Sequence, residues 1–455
     1  MNPIYINGEA IEIMAPAGSR ESLAAALDAG ADSIYFGIEA LNMRAHSASK
    51  FTLADLRDIA AQCAARGVKS YLTVNTIIYD EDLELMQAIC DAAHEAGISA
   101  IIAADVAVLD YCREIGQEVH LSTQLNISNT RALRFYARYA DVVVLARELN
   151  MEQVARIRQY IDAEGITGPS GQPLRIEMFC HGALCMAVSG KCYLSLDNLG
   201  RSANRGQCMQ VCRRSYTVRD RETGVELDVD NKYIMSPKDL KTIGFIDKMA
   251  QAGVRVFKIE GRARSAEYVY TVVQCYREAL QAVADGTFSP DKVKAWDERL
   301  ATVFNRGFWD GYYQGAKLGE WSSVYGSQAT LKKVYCGKVT NWFDRIGVAE
   351  ISVESQTLKL GDKCMAVGAT TGVIEFKVND LRVALKPAAK AVKGVRCSVA
   401  IIPENAGVRD GQVELNPASE GSASQAAAEV KVNADGKIPV RLRRGDKIYI
   451  WEKNV

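Results

Sequence analysis

The sequence predicts an α/β fold: a closed, TIM-like β/α barrel carrying a cysteine-rich insertion, followed by a small antiparallel β-barrel. Three observations lead to it. From Ile11 to about Ala284, short β-rich runs alternate with amphipathic helical stretches. Several of those stretches stop on a glycine just before the next run, at Gly30, Gly67, Gly97 and Gly253, which is the C-terminal glycine signal of a helix. From Lys332 the pattern changes to short alternating strands. Strand–helix alternation implies a parallel sheet covered on both faces, and about eight such units in series favour closure into a barrel.

In chain order the strand candidates are Ile11–Ala15, Ser33–Gly37, Lys69–Val74, Ala100–Ala104, Glu118–Ser122, Asp141–Leu145, Arg175–Phe179, Tyr233–Met235 and Arg255–Ile259. Amphipathic segments such as Leu53–Arg66, Glu81–Glu95 and Met151–Glu164 lie between them. This is one strand more than an eight-stranded barrel needs, so one is extra or lies outside it. The second part offers Lys338–Thr340, Arg345–Val353, Thr357–Leu360, Val373–Val378, Arg396–Ile402 and Lys447–Trp451, with turns at Leu-Gly-Asp 360–362 and Arg-Gly-Asp 444–446. Ala406–Gly436, rich in Ala, Ser, Glu and Gly, reads as a long loop or a mobile insert. The domain division expected is 1–330 for the barrel, including an insertion at 180–232, and 331–455 for the second domain.

Composition narrows the function classes. The chain has 455 residues, 55 basic and 55 acidic, so no whole-protein charge draws it to nucleic acid or membrane. From Leu331 onward 20 Lys and Arg face 14 Asp and Glu, a local excess compatible with RNA contact. No apolar run approaches the ~20 residues of a membrane span, and MNPIYINGEAIEIMAP lacks the pattern of a signal peptide. A cytoplasmic location is therefore expected. In a reducing compartment the 12 cysteines are not a disulfide framework, and most should be small core residues.

One group of cysteines needs another explanation. Between Phe179 and Arg214 the sequence reads FCHGALCMAVSGKCYLSLDNLGRSANRGQCMQVCRR, with the spacing Cys185-x6-Cys192-x15-Cys208-x3-Cys212 and Cys180 five residues earlier. Thiolates from one glycine-punctuated loop can converge on a soft metal centre. Structural zinc usually uses closely paired cysteines, a habit that only Cys208 and Cys212 follow, so spacing leaves zinc and iron–sulfur both open. Arg201, Arg205, Arg213, Arg214, Arg219 and Arg221 add positive charge there, to offset a thiolate cluster, to contact phosphates, or as a solvated basic loop. Polar residues also gather after the strand ends, among them Asn75, Gln124, Arg147, His181, Lys238, Glu260 and Arg262. In a β/α barrel that face builds the active site, although strand ends meeting solvent are polar in any case.

Glu177–Ser195, EMFCHGALCMAVSGKCYLS, matches the pattern E-x-F-x2-G-[SA]-L-C-x4-G-x-C-x-L-S. On this signature the chain resembles the collagenase-like peptidase family (unassigned-mechanism family 32). The likeness extends to APAGSRESLAAALDAGADSIYFG, HLSTQLNISN, LARELN, SPKDL and KIEGR. It implies RNA modification rather than proteolysis, in the branch that holds tRNA hydroxylation protein P. Members of that branch make 5-hydroxyuridine at the tRNA wobble position by a prephenate-dependent, iron–sulfur-requiring route. A sister branch hydroxylates a cytidine of 23S ribosomal RNA, and shorter relatives act in ubiquinone hydroxylation. The resemblance places a 4Fe-4S cluster on Cys185, Cys192, Cys208 and Cys212 and likens the C-terminal domain to the second domain of translation factors.

Under this reading tRNA or rRNA is the partner, and the barrel mouth receives a flipped-out pyrimidine. A small dicarboxylate donor, prephenate in the related proteins, needs cations, for which Arg147 and Arg262 are the candidates, with Gln124, Asn75 and Lys238 as further substrate-binding residues. His181 and Glu260 are the acid–base candidates because their strand ends should face the insertion, and Glu177 is counted with them. The rival is a peptidase. A metalloprotease would need two histidines one helical turn apart, but His94-Glu95 is followed by Ile98 where the second would stand. With only His46, His94, His120 and His181 in the chain, a Cys/His pair would have to use His181, and adjacent Cys180 and His181 point to opposite faces of a strand.

Overall fold

The computed structural model describes residues 2–45, 51–227, 235–324, 326–403 and 441–454. The chain divides into two compact units, Met1–Ala329 and Thr330–Val455. His46, Tyr233 and the Ala406–Gly436 segment lie outside the described residues.

The first unit is a closed barrel of eight parallel strands: β1 Glu9–Pro16, β2 Ser33–Phe36, β3 Lys69–Val74, β4 Ala100–Ala103, β5 Val119–Leu121, β6 Val142–Val144, β7 Arg175–Gly182 and β8 Val254–Ile259. Each pairs with the next, and β8 closes the ring by pairing with β1 through Val256–Glu12 and Lys258–Met14. Helices follow the strands in alternation: α1 Arg20–Ala29, α2 Leu56–Ala64, α3 Leu83–Glu95, α4 Val106–Glu114, α5 Thr130–Tyr136 and α6 Met151–Glu164. The insertion, with its short helix α7 Leu194–Leu199, falls between β7 and α8 Ile246–Gln251, and α9 Ala266–Ala284 follows β8. Eight of the nine expected strands are thus barrel strands. The ninth is displaced: Met235 sits in a turn, and the extra strand is Asp239–Lys241. It runs antiparallel to the end of β7, outside the ring.

The helix signals work as the sequence suggests. Ser19 and Ser22 form a capping box at the start of α1, and Gly30 ends that helix in the left-handed conformation with its N–H on Ala26. Alternate strand residues fill the barrel, where Met14, Tyr35, Tyr71, Ala100, Ile102, Val142 and Val256 form one buried cluster. No helix among the described residues is long and apolar enough to cross a membrane.

The barrel interior also holds charge. Glu12 on β1 is buried, accepts from Tyr71 Oη at 2.7 Å and Arg175 Nη1 at 2.9 Å, and lies 3.7 Å from Lys69 Nζ. Burial pushes its carboxyl up, but Arg175, Lys69, His120 and the tyrosine hydroxyl together outweigh burial and hold it at about 2. A carboxyl held below its unfolded value of about 4.3 contributes stability above that pH, and the contribution fades as pH falls toward the folded value. Glu12→Gln is therefore expected to destabilise the barrel by about 2 kcal/mol at pH 7. In denaturant titrations wild type and variant should converge between about pH 4.3 and pH 2.

The second unit is an antiparallel sheet. In sheet order its strands are Gly372–Lys377, Lys363–Gly368, Lys447–Lys453, Leu331–Phe343, Val348–Val353, Arg396–Ala400, Leu381–Val383 and Lys386–Pro387. Phe376 and Leu381 stand toward opposite ends of that order yet share one core with Ile351, Val399 and Ile448, so the sheet curls around a single apolar interior. Residues 378–380 join the two ends, and Phe376 bridges to Pro403.

Candidate functional site

A cavity of about 180 Å³ opens at the C-terminal ends of the barrel strands and is roofed by the insertion. Tyr35 of β2, Thr73 of β3, Ile102 of β4, Phe179 of β7 and Lys258 of β8 line it from the barrel. Asn75, Ser122, Gln124, Arg147, Glu260 and Arg262 line it from positions just after strands, and Arg44 from the loop after β2. The strand period explains the β8 set: Val256 in the core, then Lys258, Glu260 and Arg262 facing the same way in steps of two.

Among the described residues five cationic side chains line the cavity, Arg44, Arg147, Arg213, Lys258 and Arg262, against one carboxylate, Glu260. Arg262 is buried; its Nη1 donates to Thr73 Oγ1 at 2.8 Å and Asn42 Oδ1 at 3.1 Å, while its Nε–H has no partner among the described residues. Arg44 lies 3.7 Å from Glu260, and its buried Nη1 is also without a partner among them. Arg147 donates to Ser189 Oγ at 2.5 Å and stacks on Phe179. Glu260 accepts from Tyr35 Oη at 3.1 Å. Burial pushes the Glu260 carboxyl up, but Arg44, Arg262 and Arg147 outweigh burial and hold it below the ordinary range. Asn75 Nδ2 donates to Ser122 Oγ at 3.1 Å, and the hydroxyl of Ser122 bonds Gln124. Unsatisfied guanidinium N–H groups beside an excess of positive charge suit an anionic ligand.

Cys185, Cys192, Cys208 and Cys212 all face this cavity. They are also the four cysteines that are not buried; the other eight are. Burial pushes the Cys212 thiol up to about 11, with Arg213 acting against it and the other three thiols adding to the rise. Among the described residues no three His, Cys, Asp or Glu side chains are gathered closely enough to hold a single metal ion. Arg213 clamps the insertion in place, donating to Leu184 O and Pro237 O at 2.6 Å and to Ser236 Oγ at 3.1 Å. Arg205 is likewise engaged, with Asp82 at 2.5 Å and over the Tyr79 ring at 4.0 Å.

The structure therefore brings together ten of the residues singled out by sequence: Asn75, Gln124, Arg147, Arg213, Glu260, Arg262 and the four cysteines. Three others lie apart. Lys238 pairs with Glu320 at 2.6 Å, away from the cavity lining. Glu177 lies beneath the cavity, buried in the barrel and bonded to Lys258 Nζ at 2.6 Å. His181 packs against Tyr268, Tyr276 and Phe308 instead of facing the mouth. Burial, with Lys241 and Arg264 nearby, pushes its imidazole down to about 3, so it is neutral at physiological pH. This placement gives His181 no reach to a ligand in the cavity. Its cause is a β-bulge: Lys258 pairs with Phe179 and Ile259 with His181, so Cys180 is skipped and the inward alternation Glu177–Phe179 does not continue to His181. Sequence reasoning missed Arg44, Lys258 and Tyr35. A lysine at the inward-facing phase of the strand, two residues from Val256 and two from Glu260, was the available signal for Lys258.

Residues 18–323 match the family model described as Peptidase family U32. The chain belongs to peptidase family U32. Members that resemble it carry different functional names. It is 63% identical over 87% of its length to "Collagenase" of Porphyromonas gingivalis, spanning 96% of that protein. It is 34% identical over 71% of its length to "tRNA hydroxylation protein P1" of Bacillus subtilis, spanning 76% of that protein. It is also 35% identical over 62% of its length to "23S rRNA 5-hydroxycytidine C2501 synthase" of Escherichia coli, of which it spans 41%. The U32 family thus joins RNA-hydroxylation and collagenase names around one sequence type.

Proposed function

We propose that this U32 protein hydroxylates a pyrimidine of RNA, with an iron–sulfur cluster on Cys185, Cys192, Cys208 and Cys212. The observation that carries the reading is the meeting of four accessible thiols and five cations around one barrel-mouth cavity. Four thiols lining one cavity are the ligand number and type that a 4Fe-4S cluster takes. Bound there, the cluster would supply one-electron chemistry beside the cavity. The chain's own residues do the rest. Arg44, Arg147 and Arg262 bind a small dicarboxylate such as prephenate, and the buried N–H groups of Arg44 and Arg262 that lack a partner among the described residues add donor capacity beside it. Glu260, ionised and bonded to Tyr35, is placed to accept a proton at the same face. A base reaches this depth only if it leaves its stack, and the exposed Arg201 and Arg214 of the insertion are available to RNA phosphates.

Within this reading, 5-hydroxylation of the tRNA wobble uridine is the first choice, by likeness to the tRNA hydroxylation proteins, and cytidine hydroxylation in 23S rRNA is the second. The name of the Porphyromonas gingivalis relative favours a peptidase instead. Against it, none of the described histidines lines the cavity, so no imidazole stands ready there to activate a thiol or a water.

Nucleoside mass spectrometry of a strain lacking the gene tests the proposal. A hydroxylated pyrimidine should vanish from tRNA, or from 23S rRNA on the second choice, and return with the wild-type gene. Intact nucleosides in both RNAs, together with gelatin hydrolysis by highly pure protein, would establish the peptidase reading instead.

A further inference from the structure

The interior of an eight-stranded β/α barrel is ordinarily filled by apolar layers. Here a string of ionisable groups crosses it. Glu118 immediately precedes β5, at the end of the barrel opposite the cavity, and its side chain is 44% exposed. Its Oε1 lies 3.2 Å from His120 Nε2. The other ring nitrogen, Nδ1, lies 3.9 Å from Glu177 Oε2. Glu177 Oε1 accepts from Lys258 Nζ at 2.6 Å, and Lys258 forms part of the cavity lining.

The gap in this string is informative. His120 Nδ1 and Glu177 Oε2 are both buried, both lack a hydrogen-bond partner among the described residues, and lie 3.9 Å apart, about 1 Å beyond bonding distance. Leaving two such atoms unpaired is unfavourable in a static core. A side-chain rotation that closed this 3.9 Å gap would make the string continuous from solvent to the cavity floor. An imidazole suits the middle position because it takes a proton on one nitrogen and releases another from the second.

We infer that Glu118, His120, Glu177 and Lys258 form a proton relay through the barrel, with Lys258 as the acid–base group at the cavity floor. A proton passes from Glu118 to Nε2 of His120, the Nδ1 proton passes to Glu177, and Glu177 protonates Lys258; the reverse order drains the lysine. Each step exchanges one N–H or O–H bond for another and needs no oxidant or co-reactant. The use of this proton in hydroxylation rests on the function proposed above; the relay itself does not. Other charged and titratable groups face the string. The Tyr71 ring packs against His120 at 4.4 Å, tilted by 51°, and Glu12, Lys69 and Arg175 adjoin it at the solvent end. Tyr35 lies 4.8 Å from Lys258 Nζ, and Glu260, Arg262, Arg44 and Arg147 share its cavity.

Cyanate tests the relay without RNA. The neutral lysine nitrogen adds to the carbon of isocyanic acid, the amine proton moves to the isocyanate nitrogen, and a carbamyl group remains. The rate of labelling at Lys258 in the full-length protein is read by peptide mass spectrometry across pH, with exposed Lys359 as the reference for the reagent. If the string acts as one unit, the labelling rate at Lys258 in wild type should change about tenfold with pH in step with the groups below it. His120→Gln keeps a polar side chain but relays no proton, and should remove that dependence; Glu118→Gln should alter it. If circular dichroism finds His120→Gln unfolded, Glu118→Gln at the exposed end decides alone. One superimposable step in all three proteins, or no label on Lys258 at any pH, would overturn the relay and leave an inert buried ion pair. RNA that keeps its hydroxylated pyrimidine in the deletion strain would overturn the proposed function but not this result.

Discussion

Replacing Cys185, Cys192, Cys208 or Cys212 singly by serine is expected to give a colourless protein from which hydroxylation of RNA is lost below detection. Anaerobically prepared wild type should instead be brown and contain iron. A serine oxygen is a hard, weakly acidic ligand, and three thiolates plus an open position hold a cluster poorly against oxygen and chelators. The controls are internal. Cys63 and Cys275 are buried on helix faces, where burial pushes each thiol up to about 12. Serine at either site should cost about 1–2 kcal/mol of stability through a buried hydroxyl, yet leave colour and iron unchanged. Iron-free protein with stoichiometric zinc after anaerobic reconstitution would end the iron–sulfur reading, whatever the activity.

The second large effect belongs to Arg262. Arg262→Ala is expected to weaken binding of a small dicarboxylate about a hundredfold, close to 3 kcal/mol, as measured by calorimetry on the full-length protein. Arg262→Lys keeps the charge but not the fork that Thr73 and Asn42 hold in position, so it should recover only part of the loss. Gly37→Ala offers a check that leaves the guanidinium in the protein. A Cβ at Gly37 would stand 2.6 Å from Arg262 Nη1 and 2.7 Å from Asn42 Cγ, so it must push the fork out of place. Binding should fall in that variant too. Unchanged affinity in both Arg262→Ala and Gly37→Ala would remove Arg262 from the anion site.

Much of this architecture was legible before the structure. The barrel strands announced themselves as short, largely apolar runs alternating with amphipathic helices, several of which end on a glycine. Asp239–Lys241 did not, because a three-residue strand with two charged ends has no period to detect. In the C-terminal unit the sequence suggested only Lys338–Thr340, whereas the strand there runs from Leu331 to Phe343; its exposed positions carry Lys332, Lys338 and Asn341, which dilute the apolar signal. The site divided along similar lines. The four cysteines were readable because locality set them apart from core cysteines, and residues just past strand ends were readable from the barrel rule. Arg44 was not, since it sits in a loop without periodicity. His181 was misplaced because a one-residue bulge reverses the direction of a side chain, and nothing in FCHGA records a bulge.

The division of the cysteines into eight buried and four accessible has a consequence for oxidative chemistry. A peroxide reaching the protein from solvent finds the core sulfurs sealed, several of them, such as Cys336, held as thiols by burial. The sulfurs it can reach stand together at one cavity, so sulfenic acids formed there have neighbouring thiols with which to condense. Damage and repair would then both begin at the same four atoms, so oxidation can alter the cavity while the barrel stays folded.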